Sequence, residues 1–374
     1  MKVVQVTDRF NHLIIGDIAQ VLRADGIRCG LVSGDVGDLL PEYFSKEHLV
    51  DARLHEGMTE IQAPEADVLV VHELSLMPLA REWQRTVPTA ALVHTVICPG
   101  GKLFRGSDCP CRHPMRRQCL VDWYAGPCGS NKRVDVAIRA LRRHDEFRDC
   151  LRGMEHVWVL SEYMGRHLAE EGISQVTVLD PRIPRQRCRV AELRYAERIE
   201  PGKPVILYAG RFAHQKGGQL LIAAARHLGS DVQVVMIGSG AGGTQEHAWR
   251  DLAKELQVEV HFVPFLDRDE LDPWLKLATV VVVPSLWPEP AGMAVPDAAE
   301  LGARVVVTNR GGLPEWARYI PDIQIVEPEP EKLALAIEAA VDAGRLATSG
   351  LDSRRDEMRV TIQKAVSQLA GGNA

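Results

Sequence analysis

Glu289 and Asp297 are two acids placed eight positions apart around the turn Pro290-Ala-Gly-Met293. An apolar, strand-like run from Ala278 to Val283 precedes this turn, and a helix-like run follows it. In a parallel α/β sheet, the turn between a strand and a helix leaves backbone amides free to bind an anion. The two acids can then accept hydrogen bonds from hydroxyl groups on either side of that anion. A nucleotide-sugar, in which a diphosphate joins a ribose and a hexose, fits this arrangement.

Two cations occupy a second loop of the same kind. Arg211 and Lys216 lie in the segment Tyr208-Ala-Gly-Arg-Phe-Ala-His-Gln-Lys-Gly217, which follows a predicted strand and leads into a predicted helix. A pyrophosphate leaving group gains negative charge as its bond to the sugar breaks, and fixed cations stabilise that charge. The alternative is a pair of solvated loop cations without a ligand.

Glycines follow two further strands, in Ile237-Gly-Ser-Gly240 and in Thr308-Asn-Arg-Gly-Gly-Leu-Pro-Glu315. Gly238 and Gly240 would let the backbone approach a ligand closely, because glycine has no side chain. An ordinary turn is the alternative for both segments.

Short β-branched strands alternate with amphipathic segments along the chain, which predicts parallel sheets built from βαβ units. We predict strands at Lys2–Thr7, Arg28–Ser33, Asp67–His72, Thr89–His94, His156–Leu160, Gln175–Leu179, Val205–Ala209, Val232–Ile237, Val258–Val263, Val280–Val283, Arg304–Val307 and Ile323–Val326. We predict helices at Asp17–Asp25, Glu162–Glu171, Gly218–Leu228, Gln245–Leu256, Asp269–Leu277, Val295–Leu301, Glu331–Ala343 and Ser353–Leu369.

The alternation is interrupted once, at the charged segment Ala191–Lys203, which contains Pro201-Gly202 and is typical of a linker. The sequence therefore predicts the α/β class, with two doubly wound, Rossmann-like domains facing a central cleft. The 374 residues are enough for two such domains, and the apolar fraction of 46% is ordinary for a chain with substantial cores.

The C-terminal motifs together resemble the donor-binding domain of the retaining GT-B glycosyltransferases of family 4, over residues 203–317. The resemblance rests on the order and spacing of three motifs: G-R-x(4)-K-G at Gly210, Arg211, Lys216 and Gly217; E-P-x-G at Glu289, Pro290 and Gly292; and G-G-x-P-E at Gly311, Gly312, Pro314 and Glu315.

The resemblance implies a role for each of these positions. Arg211 and Lys216 would bind the donor diphosphate, and Glu289 would face the donor sugar. Asp297 stands at the second position of the family's E-x(7)-E pair, which holds the ribose, although Asp is one methylene shorter than Glu. The rest of the implied donor site consists of Gly210, Gly217, Gly238, Gly240, Pro290, Ala291, Gly292 and Met293.

The resemblance to family 4 also implies what each domain binds and which reaction takes place. Residues 1–195 would bind the acceptor, residues 203–352 would bind the donor, and residues 353–374 would form a helix packing back on the N-terminal domain. The reaction would move a hexose from a nucleoside-diphosphate sugar to an acceptor hydroxyl, with retention at the anomeric carbon and with no metal or other cofactor in catalysis. UDP with glucose or N-acetylglucosamine is the favoured donor, and GDP-mannose is next.

The N-terminal half carries fewer matching residues. Where family members usually have a Gly-Gly pair, this chain has Asp8-Arg-Phe-Asn-His-Leu-Ile-Ile-Gly16, so only Gly16 is present and Asn11 and His12 are candidate acceptor contacts or ordinary loop residues. His94 ends a predicted strand, and taken alone it is more readily explained as a packed residue. The resemblance implies that His94 faces the donor sugar and is a catalytic candidate.

Five of the eight cysteines lie within 31 residues, in a predicted insertion at 98–129. Four thiolates can hold a structural zinc, which would rigidify a long loop without its own core. Disulfides, buried thiols and an iron–sulfur site are the alternatives, because Cys109 and Cys111 are close for two ligands of one tetrahedral ion. The candidate metal ligands are Cys98, Cys109, Cys111, Cys119 and Cys128.

Charge is unevenly distributed along the chain. Residues 98–143 contain ten Lys and Arg against three Asp, whereas the whole chain has a net charge of −6. This predicts an anionic partner, either a phosphorylated acceptor or an acidic membrane surface, with a solvated basic face as the alternative. Trp123 and Tyr124 in this region are candidates to stack on a sugar or lipid, or to anchor the loop.

Composition excludes several other classes. The net charge of −6 argues against a general nucleic-acid-binding protein. No apolar run approaches the ~18 residues of a membrane-spanning helix, and the N-terminal Met1-Lys-Val-Val enters a strand pattern rather than a signal peptide. We therefore expect a cytoplasmic protein, with peripheral contact at the inner membrane surface as a further expectation.

Three rival functions are compatible with the sequence. A sugar-nucleotide epimerase shares the architecture, and a phosphorylase would need a cofactor-bearing lysine motif that the chain does not show. A metal-stabilised, non-catalytic binding protein on the same scaffold is the third. The Asp-x-Asp match Asp267-Arg-Asp269 opens a predicted helix, so we expect a helix cap there rather than a catalytic metal site.

Overall fold

The structure is a computed structural model in which the chain forms two compact units. The first contains residues 1–103, 112–185 and 353–374, and the second contains residues 104–111 and 186–352. The described residues are 1–7, 15, 18–19, 22–23, 26–33, 49–51, 63–72, 74–95, 98, 104–105, 109–111, 117–124, 128, 133–179, 192–240, 243–320, 322–346 and 355–371.

The first unit is built on a parallel sheet in the order β3-β2-β1-β4-β5-β8-β9. The direction of strand addition reverses between β1 and β4, which is the switch point of a doubly wound sheet. A short hairpin, β6–β7, belongs to the second unit. The strands are β1 (Lys2–Thr7), β2 (Arg28–Ser33), β3 (Leu49–Asp51), β4 (Val68–Val71), β5 (Thr89–Val93), β6 (Phe104–Arg105), β7 (Cys109–Pro110), β8 (His156–Val159) and β9 (Val176–Val178).

The second unit repeats this architecture with the parallel order β12-β11-β10-β13-β14-β15. Its switch point lies between β10 and β13. The strands are β10 (Val205–Ala209), β11 (Gln233–Ile237), β12 (Val260–Val263), β13 (Val280–Val283), β14 (Arg304–Thr308) and β15 (Gln324–Val326).

Helices connect these strands, and their bounds agree closely with the predicted ones wherever a helix was predicted and is described. They are α1 (Met77–Trp83), α2 (Gln118–Tyr124), α3 (Val134–Arg152), α4 (Glu162–Glu170), α5 (Gly218–Ala225), α6 (Thr244–Glu255), α7 (Arg268–Leu277), α8 (Ala294–Glu300), α9 (Pro330–Asp342) and α10 (Arg355–Leu369). The sequence did not predict α1, α2 or α3.

Both faces of the second sheet are covered, which explains why its strands are almost continuously apolar. One face of β10 carries Ile206, in a buried cluster with Leu221 of α5 and Trp249 of α6. The opposite face carries Leu207, which belongs to a cluster with Trp274 of α7. The sheet is thus held between two apolar layers, and its strand ends are fixed for the loops that follow.

The segment predicted as a linker packs on the second unit where it is described. The side chain of Arg194 forms an ion pair with Glu270, and its carbonyl accepts a 3.0 Å hydrogen bond from the indole of Trp274. In the part of the chain that the structure describes, no helix has the length and apolar character needed to cross a membrane.

Asp267 caps the N-terminus of α7, as expected. Its Oδ1 accepts a 2.9 Å hydrogen bond from the Glu270 amide, and Glu270 Oε2 accepts one of 3.2 Å from the Asp267 amide. This reciprocal pair is a capping box, which satisfies two amides that the helix leaves unpaired. Asp269 lies in the first turn and is exposed.

We predict that Asp267→Ala lowers the free energy of unfolding by about 1 kcal/mol, because the cap hydrogen bond is lost. Asp269→Ala is the matched control, with an expected change within about 0.5 kcal/mol. Urea denaturation measures both. Equal losses in the two variants would contradict the capping role.

Candidate functional site

The switch point of the second unit brings the predicted motifs together. The loop after β10 runs to Gly217, and the loop after β13 runs from Pro284 to Met293. Because the order of the sheet reverses between these two strands, the helices that follow them lie on opposite faces of the sheet, and α/β sheets bind ligands at this position.

A partly buried salt bridge joins the two loops. Lys216 Nζ lies 2.7 Å from Glu289 Oε1, with side chains 22% and 8% exposed. Ser285 Oγ donates a 2.6 Å hydrogen bond to the same oxygen. Among the described residues, none hydrogen-bonds Glu289 Oε2. One oxygen of the carboxylate is thus fixed by protein donors, and the other remains as an acceptor.

Further contacts hold this pair in place. Thr308 Oγ1 donates a 2.6 Å hydrogen bond to the carbonyl of Ser285, and both residues are fully buried. The Lys216 ammonium lies 5.1 Å from the centre of the Trp287 ring, which is a cation–π contact. The sequence did not single out Ser285, Trp287 or Thr308, although the first two lie in the loop after β13.

Glycines let the loops at this edge of the second sheet approach one another. A Cβ at Gly217 would lie 1.7 Å from the Pro284 carbonyl oxygen, and one at Gly311 would lie 2.2 Å from that of Glu289. At Gly238 a Cβ would lie 1.9 Å from the Gly210 carbonyl oxygen. The described contacts therefore explain these glycines by packing of backbone on backbone. For Gly238, this packing is an alternative to the close approach to a ligand that the sequence suggests.

Arg211 is an exposed residue on the same loop as Lys216. Its carbonyl accepts a 2.7 Å hydrogen bond from the hydroxyl of Tyr208. Burial, and secondarily the negative charge of Glu289, raises the pKa of Tyr208, so this phenol remains a neutral donor. The backbone of Arg211 is thus fixed, while its side chain is accessible to an anion.

Asp297 lies on α8, and its Oδ1 is 3.7 Å from Nη2 of Arg268 at the start of α7. Sequence analysis did not anticipate this cation, because 29 positions separate the two residues. Met293 is the N-cap of α8, and the Ala291 carbonyl accepts a 2.6 Å hydrogen bond from the indole of Trp316. The predicted donor loop is therefore anchored at its middle and at its helix start.

Comparison with known proteins agrees with this geometry. The family profile described as "Glycosyl transferases group 1" matches residues 190–349, which contain every one of these loops. The D-inositol 3-phosphate glycosyltransferase of Streptomyces bingchenggensis is 32% identical over 158 residues, 38% of this chain and 34% of that protein. The chain resembles the GT-B glycosyltransferases of family 4. Its matches span about a third of the length of its curated relatives.

Solved structures confirm the predicted GT-B fold. The Anabaena protein HepE, in complex with UDP, superposes with a TM-score of 0.62 at 15% identity, covering 98% of this chain and 95% of that one. Sucrose-phosphate synthase from Thermosynechococcus elongatus gives a TM-score of 0.65 at 16% identity, covering 99% and 96%. At these identities the likeness establishes the fold.

The candidate site residues of the N-terminal half differ in their burial and in whether the structure describes them. His94 follows β5 and is partly buried, and burial lowers its pKa. Trp123 is 7% exposed, which favours its role as an anchor of α2 over stacking on a ligand, whereas Tyr124 is 36% exposed. The remaining acceptor-side candidates, Asn11, His12 and Gly16, lie outside the described residues.

The cysteine cluster is only partly described. Four of its members are partly buried, and no disulfide joins them: Cys98, Cys111, Cys119 and Cys128. The backbone of Cys109 forms β7, and its side chain lies outside the described set. Within the described residues, no group of three or more His, Cys, Asp or Glu could hold a metal ion. The structural zinc stays a prediction.

We predict that Gly217→Ala destabilises the chain by about 3 kcal/mol or more, since a left-handed backbone and a clash with Pro284 combine. Gly202→Ala is the matched control: its φ of +86° is similar to the +73° of Gly217, but a Cβ there meets nothing within 4 Å. That variant should lose only about 1 kcal/mol. Thermal denaturation compares the two, and equal losses would show that the loops are not in close contact.

Proposed function

We propose that this protein transfers a hexose from a nucleoside-diphosphate sugar to an acceptor hydroxyl, with retention at the anomeric carbon. The observation that carries the proposal is the Lys216–Glu289 pair at the switch point, next to the exposed Arg211. Cations and a carboxylate are placed together where a charged, hydroxyl-rich ligand is expected.

Each residue has a chemical role in this proposal. A lysine ammonium has three hydrogens to donate, so Lys216 can contact Glu289 and still bind phosphate oxygens. Arg211 offers a bidentate fork to the same diphosphate. Together they stabilise the negative charge that develops when the bond to the sugar breaks. Glu289 accepts a hydrogen bond from the sugar, and Asp297, positioned by Arg268, accepts one from the ribose.

The donor and mechanism follow from the same residues and from the comparisons. We propose UDP with glucose or N-acetylglucosamine, which the UDP bound to HepE supports, with GDP-mannose next. His94 contacts the reacting sugar, as the family resemblance implies. Leaving-group charge is balanced by side-chain cations, so the proposed reaction needs no catalytic metal.

The first unit supports a further proposal about location. Apolar side chains are exposed on two helices that pack together: Val121 and Tyr124 on α2 are 53% and 36% exposed, and Val134 and Ile138 on α3 are 56% and 36% exposed. Arginines flank them in the predicted basic region. An apolar surface rimmed by cations suits an anionic membrane. We propose peripheral contact with the inner face of the membrane by a cytoplasmic enzyme.

A sugar-nucleotide epimerase and a non-catalytic binding protein remain the alternatives. Analysis of the products formed from UDP-glucose, with and without an alcohol acceptor, separates them. A changed sugar on intact nucleotide indicates an epimerase, and unchanged donor with a purified, folded protein indicates a binding protein. Release of UDP with formation of a glycoside supports the proposal.

We predict that Arg211→Ala and Lys216→Ala each lower the turnover of UDP-glucose by ~10²-fold or more, as expected for a lost charge-stabilising donor. Lys254→Ala is the control, because its side chain is 79% exposed and pairs only with Asp251 at the surface. UDP release measures turnover, and circular dichroism verifies the fold. Near-normal turnover in both site variants would reject the diphosphate assignment.

We also predict that EDTA leaves the initial transfer rate unchanged in a short assay. The physical reason is that Arg211 and Lys216 supply the positive charge that a metal would otherwise provide. Immediate loss of activity that magnesium or manganese restores would show that the cations alone are insufficient.

Finally, we predict that the double variant Val134→Ser/Ile138→Ser binds phosphatidylglycerol vesicles about 10-fold more weakly than the wild type, since apolar surface is lost from the interface. Leu335→Ser is the control: this leucine is 66% exposed on α9 of the second unit. Co-sedimentation measures binding, with phosphatidylcholine vesicles as the uncharged reference. Absence of binding of the wild-type protein to either kind of vesicle would rule out the membrane proposal.

A further inference from the structure

A buried polar group occupies the switch point of the first unit. Gln5 lies on β1, His72 follows β4, and His94 follows β5, so all three belong to neighbouring strands at the reversal of the sheet. Gln5 is fully buried and His72 is 1% exposed. Burying such groups is costly unless they are hydrogen-bonded, so their hydrogen-bond partners indicate what role each group has.

The hydrogen bonds of Gln5 determine the tautomer of His72. Gln5 Nε2 donates a 2.9 Å hydrogen bond to the Ile15 carbonyl, and the reverse orientation of the amide would place two acceptors against each other. Gln5 Oε1 therefore faces Nε2 of His72, 2.9 Å away, and must accept from it. His72 Nε2 carries the hydrogen, and Nδ1 has a bare lone pair in the neutral ring.

That lone pair is buried without a donor. Neither Nδ1 of His72 nor Nε2 of His94 has a hydrogen-bond partner among the described residues, and both atoms are buried. Burial lowers the pKa of both rings, and the nearby His94 lowers that of His72 further. A buried acceptor left unpaired costs about 1–3 kcal/mol, so this position favours a ligand that donates a hydrogen bond.

The two rings lie beside one another, with their centres 6.1 Å apart and a tilt of 42° between their planes. They do not hydrogen-bond each other directly. One small polar group, such as a water or an alcohol hydroxyl, would link the two nitrogens that have no partner.

We propose that Gln5 locks His72 as the Nε2–H tautomer, and that Nδ1 of His72 holds one water or hydroxyl group that in turn fixes the ring of His94. His72 is thus a positioning residue, acting through His94. The expected effect on turnover rests on the proposed role of His94 in glycosyl transfer. The tautomer of His72 and the polar group between the two rings do not depend on that role.

Two substitutions separate the two nitrogens of His72. His72→Gln places a polar atom near the position of Nε2, so it retains the contact with Gln5 and loses Nδ1. His72→Asn places a polar atom near the position of Nδ1 and loses the contact with Gln5. A residue that serves only to satisfy Gln5 is better replaced by Gln, whereas a positioning residue is better replaced by Asn.

The first test is side-chain ¹⁵N NMR of the full-length protein labelled at histidine, between pH 6 and 8. We expect His72 to be neutral throughout and to carry its hydrogen on Nε2. The His94 signals should shift in His72→Gln, but much less in His72→Asn. The Nδ1–H tautomer, or His94 signals unaffected by His72→Gln, would overturn the inference whether or not the protein has transferase activity.

The second test is the steady-state hydrolysis of UDP-glucose. We expect His72→Gln to lower kcat about 10-fold with little change in KM, and His72→Asn to stay within about 3-fold of the wild type despite a lower melting temperature. His227→Gln, a change at a partly exposed histidine of the second unit, is the control. Equal kcat in both His72 variants would overturn the positioning role. An inactive wild type would instead contradict the proposed function, and the NMR result would then decide the inference alone.

Discussion

The salt bridge between Lys216 and Glu289 is the interaction on which the proposed site depends. Removing two charges from water is costly, and an ion pair compensates for this only if its remaining hydrogen-bonding groups are also satisfied. Here Ser285 donates to the carboxylate and the Trp287 ring lies near the ammonium. These contacts satisfy the partly buried pair, and in the proposed function they hold its two charges in place for a charged ligand.

Close packing of the loops accompanies this pair. The salt bridge joins two loops that leave the sheet on either side of the switch point, and their backbones meet where Gly217 lies against Pro284. Gly311, on the loop after β14, lies in the same way against Glu289, and a side chain at either glycine would overlap the neighbouring backbone. The two apolar layers on the sheet fix the strands from which the loops start. Packing, backbone conformation and charge therefore support one geometry.

The sequence predicted the described strands except β3, β6 and β7, most of the described helices and the residues of the salt bridge, because periodicity and short motifs are local signals. It did not predict α3, whose surface is mostly polar and which buries few residues along its length. It also missed Arg268, Ser285 and His72, whose importance depends on partners elsewhere in the chain. Gln5 and His72 are 67 positions apart, and only the folded sheet makes them neighbours. Pairing of residues that are distant along the chain cannot be predicted from local patterns in a single sequence.

In the proposed function, the switch point of the second unit binds a nucleoside diphosphate. Isothermal titration calorimetry of UDP against UMP tests it most directly, because the two ligands differ only in the phosphate that Arg211 and Lys216 would contact. We expect UDP to bind at least about 10-fold more tightly than UMP, and this difference to shrink as salt screens the charges. Equal affinity for UDP and UMP, or binding of neither, would contradict it.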